Sequence, residues 1–202
     1  DSLWEVYGST ELSVCTVLAP EDQLRKPGSC GIPAPGVEIQ LIDESGELIS
    51  EPGVAGELYA RSSALFETYY KSHDQYLEDH RGGYQTVGDI AYIDAEGYYF
   101  ICDRKKDMIL VSGFNVYPNE IEDVVALHPG VAEVAAIGVE DGVTGEKVKI
   151  VVVRKDPSLT QEQILAHCRE YLTGYKVPRY VEFRTTELPK TTVGKVLRRA
   201  LR

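Results

Sequence analysis

The sequence predicts an α+β protein made of a β-rich, barrel-like first unit and a small, mixed α+β second unit. Turn residues recur at short intervals in the first half, whereas helix and strand patterns alternate after residue 118. Charge divides in the same way: residues 1–103 carry 5 Lys and Arg against 19 Asp and Glu, and residues 104–202 carry 16 against 13. We therefore expect two domains, 1–103 and 104–202.

Short strands separated by glycine and proline characterise the first unit. Residues 37–42 alternate apolar and polar side chains at period two, residues 43–46 form a turn, and residues 56–61 resume a strand. Further turn signals are spread along the unit, at Gly28, Gly31, Pro33, Pro35-Gly36, Pro52-Gly53 and Gly82-Gly83. This pattern predicts a small barrel or a curled antiparallel sheet.

The second unit opens with a helix and two strands. Pro118 stands at the first position of a predicted helix over about 118–127, whose apolar side chains form one stripe. Residues 132–139 and 148–153 are rich in β-branched side chains and predict two strands, joined by a turn at Asp141-Gly142.

A second helix and two short elements follow. Thr160 and Gln163 form a capping box at the helix start. The apolar stripe of this helix consists of Ile164, Leu165, Cys168, Tyr171 and Leu172. Residues 179–183 predict another strand, and a short basic C-terminal helix is predicted from Val193.

Composition favours a globular protein from a reducing compartment. With 43% hydrophobic and 26% charged residues, the 202-residue chain can bury a core, which excludes a disordered tail or a small disulfide scaffold. The net charge of -11 argues against nucleic acid as a partner. No apolar run reaches the roughly 20 residues of a transmembrane helix, and the first residues do not form a signal peptide, so we expect a cytoplasmic protein. The cysteines lack metal-site spacing and are expected as reduced core thiols, at Cys15, Cys30, Cys102 and Cys168.

Three segments carry residues suited to nucleotide chemistry. Tyr7 to Glu11 (YGSTE) combines an aromatic ring, a glycine for close approach, two hydroxyls and a carboxylate, although a strand ending in a turn explains the same string. Gly88-Asp89 closes the stretch 84–87, where the carboxylate either accepts from vicinal ribose hydroxyls or belongs to an ordinary turn. Pro189 to Lys195 places a glycine beside a lysine, which suits a developing phosphate anion or a basic helix cap. The P-loop pattern is absent from the sequence.

Together and in this order, the segments resemble the motifs of the adenylate-forming superfamily, which comprises acyl-CoA synthetases, luciferases and the adenylation domains of peptide synthetases. The set also includes the charged run Asp103 to Asp107 and residues 112–122 and 175–178. By itself, the charged run indicates a hairpin turn with a solvated tip. Residues 103–122 are most similar to the bacterial long-chain fatty acyl-CoA synthetases. The resemblance implies a two-step ligase, in which a carboxylate and ATP give acyl-AMP and pyrophosphate, and coenzyme A then takes the acyl group.

The resemblance also assigns residues to the nucleoside. It implies that Tyr7 stacks on adenine with Gly8 beside it, that Asp89 accepts from the ribose hydroxyls, and that Arg104 supports the ribose. The implied cofactors are ATP or AMP, Mg²⁺ and coenzyme A, and the implied substrate is a small carboxylic acid.

Catalytic roles are implied for three residues. Thr10 bonds the α-phosphate, Glu11 helps to hold Mg²⁺, and Lys195 bridges phosphate and carboxylate oxygens during adenylation. Lys106 corresponds to a hinge about which the second domain swings as a mobile lid, and the face around Ser112-Gly113 then lines the pantetheine tunnel.

The sequence departs from the family in two ways. Val87 stands where many members have threonine before the Gly-Asp pair. Members are much longer and carry an upstream Gly/Ser/Thr-rich phosphate loop, so we expect this chain to be the C-terminal portion of a ligase, inactive alone, whose large domain is completed in cis or in trans. A non-catalytic nucleotide- or thiol-carrier-binding module is the alternative. Fatty acid is the expected substrate, and an aryl or ring acid is the alternative because residues 84–89 also resemble synthetases for such acids.

Overall fold

The computed structural model describes residues 3–142, 145–192 and 194–202. Two compact units make up the chain, Asp1–Lys106 and Asp107–Arg202, and the division falls three residues after the boundary that charge indicates. The α+β fold class is confirmed, since helices and antiparallel sheets both contribute. Among the described residues, no helix combines the length and the apolarity that crossing a bilayer requires.

Antiparallel strands dominate the first unit. They are β1 Glu5–Ser9, β2 Ser13–Leu18, β3 Ile32–Pro33, β4 Glu38–Ile42, β5 Gly56–Arg61, β6 His80–Arg81, β7 Tyr84–Ile93 and β8 Tyr99–Arg104, with helix α1 at His73–Glu78. One sheet has the order β1-β2-β3, and the other has the order β4-β5-β7-β6 with β8 also paired to β7. Helix α1 escaped prediction because none of its side chains is buried, so its sequence shows no apolar stripe.

The two sheets of the first unit meet at one edge. Gly31 and Tyr99 form a bridge, with Cys30 N donating to Tyr99 O at 2.9 Å and Tyr99 N donating to Gly31 O at 2.8 Å. Across the described residues the strands form open sheets and close no barrel, so the curled-sheet alternative is the better description. The sheets enclose a core of Leu12, Cys15, Cys30, Leu41, Leu58, Ala60, Ala91 and Tyr99.

The second unit is a sheet with helices packed on it. Its elements are β9 Ile109–Val111, β10 Phe114–Val116, α2 Pro118–Ala126, β11 Val131–Asp141, β12 Gly145–Arg154, α3 Gln161–Tyr171 and β13 Tyr180–Arg184. The sheet has the order β10-β9-β12-β11, and β13 runs parallel to β12. Ile121 and Val125 of α2 and Ile164 and Cys168 of α3 are fully buried in one core.

The local signals for α2 and α3 are confirmed, whereas two finer expectations are wrong. Pro118 opens α2, and the Thr160–Gln163 capping box is present in full. Tyr171, expected inside, is 61% exposed at the end of α3. The predicted C-terminal helix from Val193, a residue outside the described part of the chain, is wrong. Among the described residues of this segment, Lys190 and Val196 form a bridge, and a single helical turn follows at Arg198–Ala200.

Candidate functional site

A buried carboxylate lies at the centre of a polar cluster in the first unit. Asp89 is 8% exposed, and its Oδ2 accepts a hydrogen bond of 2.7 Å from the Tyr7 hydroxyl. Its Oδ1 lies 3.4 Å from Nε of Arg104. Three residues that the sequence assigned to one nucleoside are therefore in contact.

Strand register brings Asp89 and Arg104 together. The two residues are opposite each other on β7 and β8, which places their side chains within reach on the same face. Of the two interpretations of Gly88-Asp89, the ordinary turn is wrong, because β7 continues to Ile93. Gly88 has φ +78° inside the strand, a left-handed conformation that glycine adopts without the strain of a Cβ.

Gly8 shapes the strand that carries Tyr7. Tyr7 pairs with Thr16 of β2, whereas Gly8 pairs with Val14, so a bulge lies between them. A Cβ on Gly8 would lie 2.0 Å from the carbonyl oxygen of Ser13. The sequence suggested that Gly8 allows another group to approach closely, and that group is the backbone of Ser13 on the neighbouring strand.

The contacts within the cluster leave the Asp89 carboxylate able to accept hydrogen bonds from a diol. Burial, and then the charge of Asp89, raise the pKa of Tyr7, so its hydroxyl stays protonated and donates to the carboxylate. A carboxylate has about four lone-pair positions. The contacts from Tyr7 and Arg104 leave acceptor positions on Asp89 for further donors, and these positions fit the two vicinal hydroxyls of a ribose as donors.

The turn after β1 carries the hydroxyl and the carboxylate predicted for phosphate and metal. Thr10 is exposed and Glu11 is half-buried. The Tyr69 hydroxyl donates to Glu11 Oε1 at 3.2 Å, and Phe66 N donates to Glu11 O at 3.0 Å. Burial, and then Glu11, raise the pKa of Tyr69 to about 12. Sequence reasoning missed Tyr69 because no local spacing relates it to a carboxylate 58 positions away.

Glu11 fits a metal that a phosphate also holds. In the described part of the chain, no group of three or more His, Cys, Asp and Glu side chains is arranged to hold an ion. Mg²⁺ commonly takes one or two protein carboxylates and completes its shell with water and phosphate oxygens. One carboxylate next to the exposed Thr10 hydroxyl suits that kind of site.

A hydrogen-bonded series supports the backbone beside Asp89. The buried Thr86 hydroxyl accepts from Gly88 N at 2.9 Å and donates to Glu57 Oε1 at 3.1 Å. Glu57 Oε2 accepts from Lys105 Nζ at 2.7 Å. The Thr86 hydroxyl therefore contacts the backbone of Gly88, although the side chain of Val87 has no hydroxyl. Sequence reasoning missed Thr86 and Glu57, and the strand pairing that joins them is not visible in local patterns.

In the second unit, Ser112 and Gly113 form the tip of a hairpin. Val111 pairs with Phe114, and the two loop residues have φ of 52° and 84°. Two positive φ values define the type I′ turn that matches the twist of a hairpin. Both residues are exposed, and the ring of Phe114 stacks on Tyr175 with centroids 4.8 Å apart.

Lys195 lies in a closed loop near the C-terminus. Its backbone N donates to Thr191 Oγ1 at 3.1 Å, and Thr191 N donates to Lys195 O at 2.7 Å. Gly194 precedes it with φ +83°. These bonds hold the backbone of Lys195, and the residue is exposed.

Two family models match this sequence. The AMP-binding enzyme model matches residues 1–70, and the AMP-binding enzyme C-terminal domain model matches residues 120–195. A long-chain-fatty-acid–CoA ligase of Escherichia coli O157:H7 is 54% identical over 200 residues. The chain belongs to the AMP-binding, adenylate-forming enzymes.

The other relatives support the same family. The long-chain-fatty-acid–CoA ligase of Bacillus subtilis is 38% identical over 98% of this chain and 36% of its own length. Among solved structures, the o-succinylbenzoate CoA synthetase of Bacillus subtilis with its acyl-adenylate has a TM-score of 0.92 at 31% identity, over 100% of this chain and 41% of its own. ATP-bound MatB from Rhodopseudomonas palustris has a TM-score of 0.90 at 35% identity, over 99% and 40%. The match to the Escherichia coli ligase includes 99% of this chain but only 35% of the length of that ligase.

The sequence-assigned residues lie at several places in the two units. Tyr7, Asp89 and Arg104 are in contact in the first unit. Gly8 follows Tyr7 in β1, and Thr10 and Glu11 lie in the turn after that strand. In the second unit, Ser112 and Gly113 share one hairpin turn and Lys195 lies near the C-terminus, whereas Lys106 is the last residue of the first unit.

Proposed function

We propose that this chain is the C-terminal portion of an AMP-forming acyl-CoA ligase. Such a ligase joins a carboxylate to ATP, giving acyl-AMP and pyrophosphate, and then transfers the acyl group to coenzyme A as a thioester. The observation that carries the proposal is the buried Asp89 carboxylate, held by Tyr7 and Arg104 with acceptor positions left for a diol. The 54% identity to a long-chain-fatty-acid–CoA ligase supports it.

The first unit would bind the nucleotide. Asp89 accepts from the ribose hydroxyls, Arg104 holds the carboxylate in place, and the ring of Tyr7 lies against adenine. The hydrogen bond of 2.7 Å from Tyr7 to Asp89 fixes the direction of the Tyr7 ring relative to the carboxylate that accepts from the ribose. Thr10 donates its hydroxyl to the α-phosphate from the adjoining turn.

Glu11 would hold the divalent ion of the nucleotide. When bound, Mg²⁺ neutralises charge on the phosphate oxygens. Tyr69 holds one oxygen of Glu11 by its hydrogen bond of 3.2 Å and so orients the carboxylate. Tyr69 is therefore a positioning residue for Glu11.

Lys195 would stabilise the charge that gathers on the α-phosphate as the carboxylate attacks. We expect Lys195→Ala to lower adenylation by about a hundredfold or more in the complete ligase, because one preorganised donor to a transition-state charge is lost. Thioester formation from supplied acyl-AMP should change far less. Pyrophosphate exchange and thioester formation, measured separately, check this, with Lys155→Ala as an exposed control. Normal exchange in folded Lys195→Ala would remove Lys195 from the catalytic residues.

The second half-reaction would use a different element of the second unit. A rotation at Lys106 exchanges Lys195 for the Ser112-Gly113 hairpin, whose exposed turn lines the path of the pantetheine thiol. The short type I′ turn offers backbone groups with few side-chain atoms to block the path.

A long-chain fatty acid is the proposed substrate, supported by 54% and 38% identity to ligases of that name. A ring carboxylic acid is the second candidate, favoured by the TM-score of 0.92 to an o-succinylbenzoate CoA synthetase. Pyrophosphate exchange by the complete ligase with palmitate, octanoate, benzoate and o-succinylbenzoate distinguishes them. Exchange with the aromatic acids alone would overturn the fatty-acid proposal, and no exchange with any carboxylate would favour the non-catalytic module.

The 202-residue chain alone should show no exchange, because we assign the phosphate loop and the acyl pocket to a remaining part of the large domain, supplied in cis or in trans. Robust exchange by this chain would contradict that assignment. We place the enzyme in the cytoplasm, since its four cysteines, all in the described part of the chain, form no disulfide and three of them are buried.

A further inference from the structure

The residues on either side of Lys106 are each held by an ion pair within their own unit. In the first unit, Lys105 Nζ contacts Glu57 Oε2 at 2.7 Å. In the second unit, Arg198 Nη1 lies 3.4 Å from Asp107 Oδ2. Lys106 itself is exposed. Lys105, Lys106 and Asp107 form one turn of 3-10 helix, so Lys106 lies between two residues that are each paired within their own unit.

The guanidinium of Arg198 is fixed by more than its contact with Asp107. Its Nε and Nη2 contact the two oxygens of Glu122 at 3.0 and 2.8 Å, and Nη2 also donates to Asn119 Oδ1 at 2.7 Å. Glu122 Oε1 accepts in addition from Ala136 N at 2.8 Å, so the pair is tied to the sheet. Only 15% of the Arg198 side chain and 18% of that of Glu122 are exposed. A two-point contact between planar groups fixes orientation as well as distance.

Arg198 also follows directly on the loop that carries Lys195. The loop is closed by the bridge between Lys190 and Val196 and by the bond of 2.8 Å from Leu197 N to Pro189 O. Arg198 comes next and begins the final helical turn. One side chain therefore joins the end of the Lys195 loop to α2 and to the first residue after Lys106.

We propose that Arg198 is a positioning residue for adenylation, which fixes the Lys195 loop relative to Asp107 so that rotation at Lys106 moves Lys195 as part of a rigid unit. The inference rests on the proposed function. The Ser112-Gly113 hairpin reaches Asp107 through β9 and the chain itself, so its placement does not depend on Arg198. Disturbing Arg198 should therefore affect the half-reaction that needs Lys195 and spare the other.

The test compares Arg198→Lys with Arg199→Lys in the complete ligase. Arg199 is the exposed neighbour, so its variant controls for charge-preserving substitution at this helical turn. Lysine keeps the charge of Arg198 but loses the two-point contact with Glu122. We expect Arg198→Lys to lower the kcat of adenylation by at least about tenfold, since a misplacement of about 1 Å costs up to about a hundredfold. The KM for ATP and thioester formation from supplied acyl-AMP should stay within about twofold of wild type.

A second variant keeps the test decisive if Arg198→Lys fails to fold. Asp107→Asn weakens only the contact of 3.4 Å and leaves the Glu122 pair intact, so it should lower adenylation in the same direction by a smaller factor. Equal loss of both half-reactions, or no loss in either, in a folded variant would overturn the positioning role. A wild-type ligase without carboxylate-dependent exchange would instead overturn the proposed function itself.

Discussion

Gly8 lets two backbones approach each other beside Tyr7, and its substitution tests the local geometry of the site. In Gly8→Ala, the new Cβ would meet the Ser13 carbonyl oxygen at 2.0 Å, so a strand must shift. We expect a loss of about 1–3 kcal/mol in unfolding free energy, the usual cost of overpacking. Urea unfolding measures it, and Gly174→Ala is the control because nothing lies within 4 Å of its Cβ. Equal stability of the two variants would contradict the bulge geometry.

The cysteines differ in reactivity because burial protects their thiol forms. Burial raises the pKa of Cys15 to about 12 and of Cys168 to about 11, and also raises that of Cys30. At pH 8 the thiolate fraction of Cys15 is then on the order of one in ten thousand. Cys102 is half-buried. Iodoacetamide should therefore label Cys102 first in the native protein.

Peptide mapping by mass spectrometry measures that order of labelling, and the urea-unfolded protein is the control, since all four thiols should then react at similar rates. Labelling of Cys15 or Cys168 as fast as Cys102 in the native state would contradict the burial.

The raised pKa values of the buried cysteines also make the stability of the fold depend on pH. Because the folded pKa values exceed the unfolded one, the contribution is present below about pH 9 and is lost as pH rises towards 12.

Among the elements, helix α3 is stabilised at its start by side chains. Thr160 accepts from Gln163 N at 3.3 Å, and the Gln163 side chain accepts from Thr160 N at 2.9 Å. Thr160→Ala should lower the unfolding free energy by about 0.5–2 kcal/mol. Thr173→Ala is the matched control, since Thr173 precedes a helical turn without a side-chain capping bond. Thermal unfolding of both variants decides, and the same shift in each would argue against the cap.

For the whole molecule, Lys106 is the residue at which the two units join. Proline there fixes φ at the residue proposed to rotate. In the complete ligase, Lys106→Pro should spare acyl-AMP formation and impair thioester formation, so that adenylate accumulates. Lys106→Ala removes the side chain but leaves φ free, and it should keep both half-reactions. Equal loss of the two half-reactions in Lys106→Pro would rule out the hinge.

Features set by neighbouring residues could be predicted from the sequence. The Thr160–Gln163 cap and Pro118 at the start of α2 depend on groups within one helical turn, and strand β5 begins and ends at the predicted residues. Ordered motifs also identified the family, and they singled out Tyr7, Asp89 and Arg104 before their contacts were known. Local backbone preference and motif order carry this information because neither depends on long-range folding.

Only the tertiary structure decided which side chains from distant parts of the sequence contact the residues of the site and of the proposed positioning cluster. Glu11 meets Tyr69 across 58 positions, and Glu122 meets Arg198 across 76, so no periodicity relates the partners. The predicted C-terminal helix failed for the same reason: the Lys190–Val196 bridge and the packing of Leu201 on the sheet compete with helix propensity and outweigh it. Contacts between residues far apart in sequence arise when strands pair and a core closes, and that free energy is absent from any short segment.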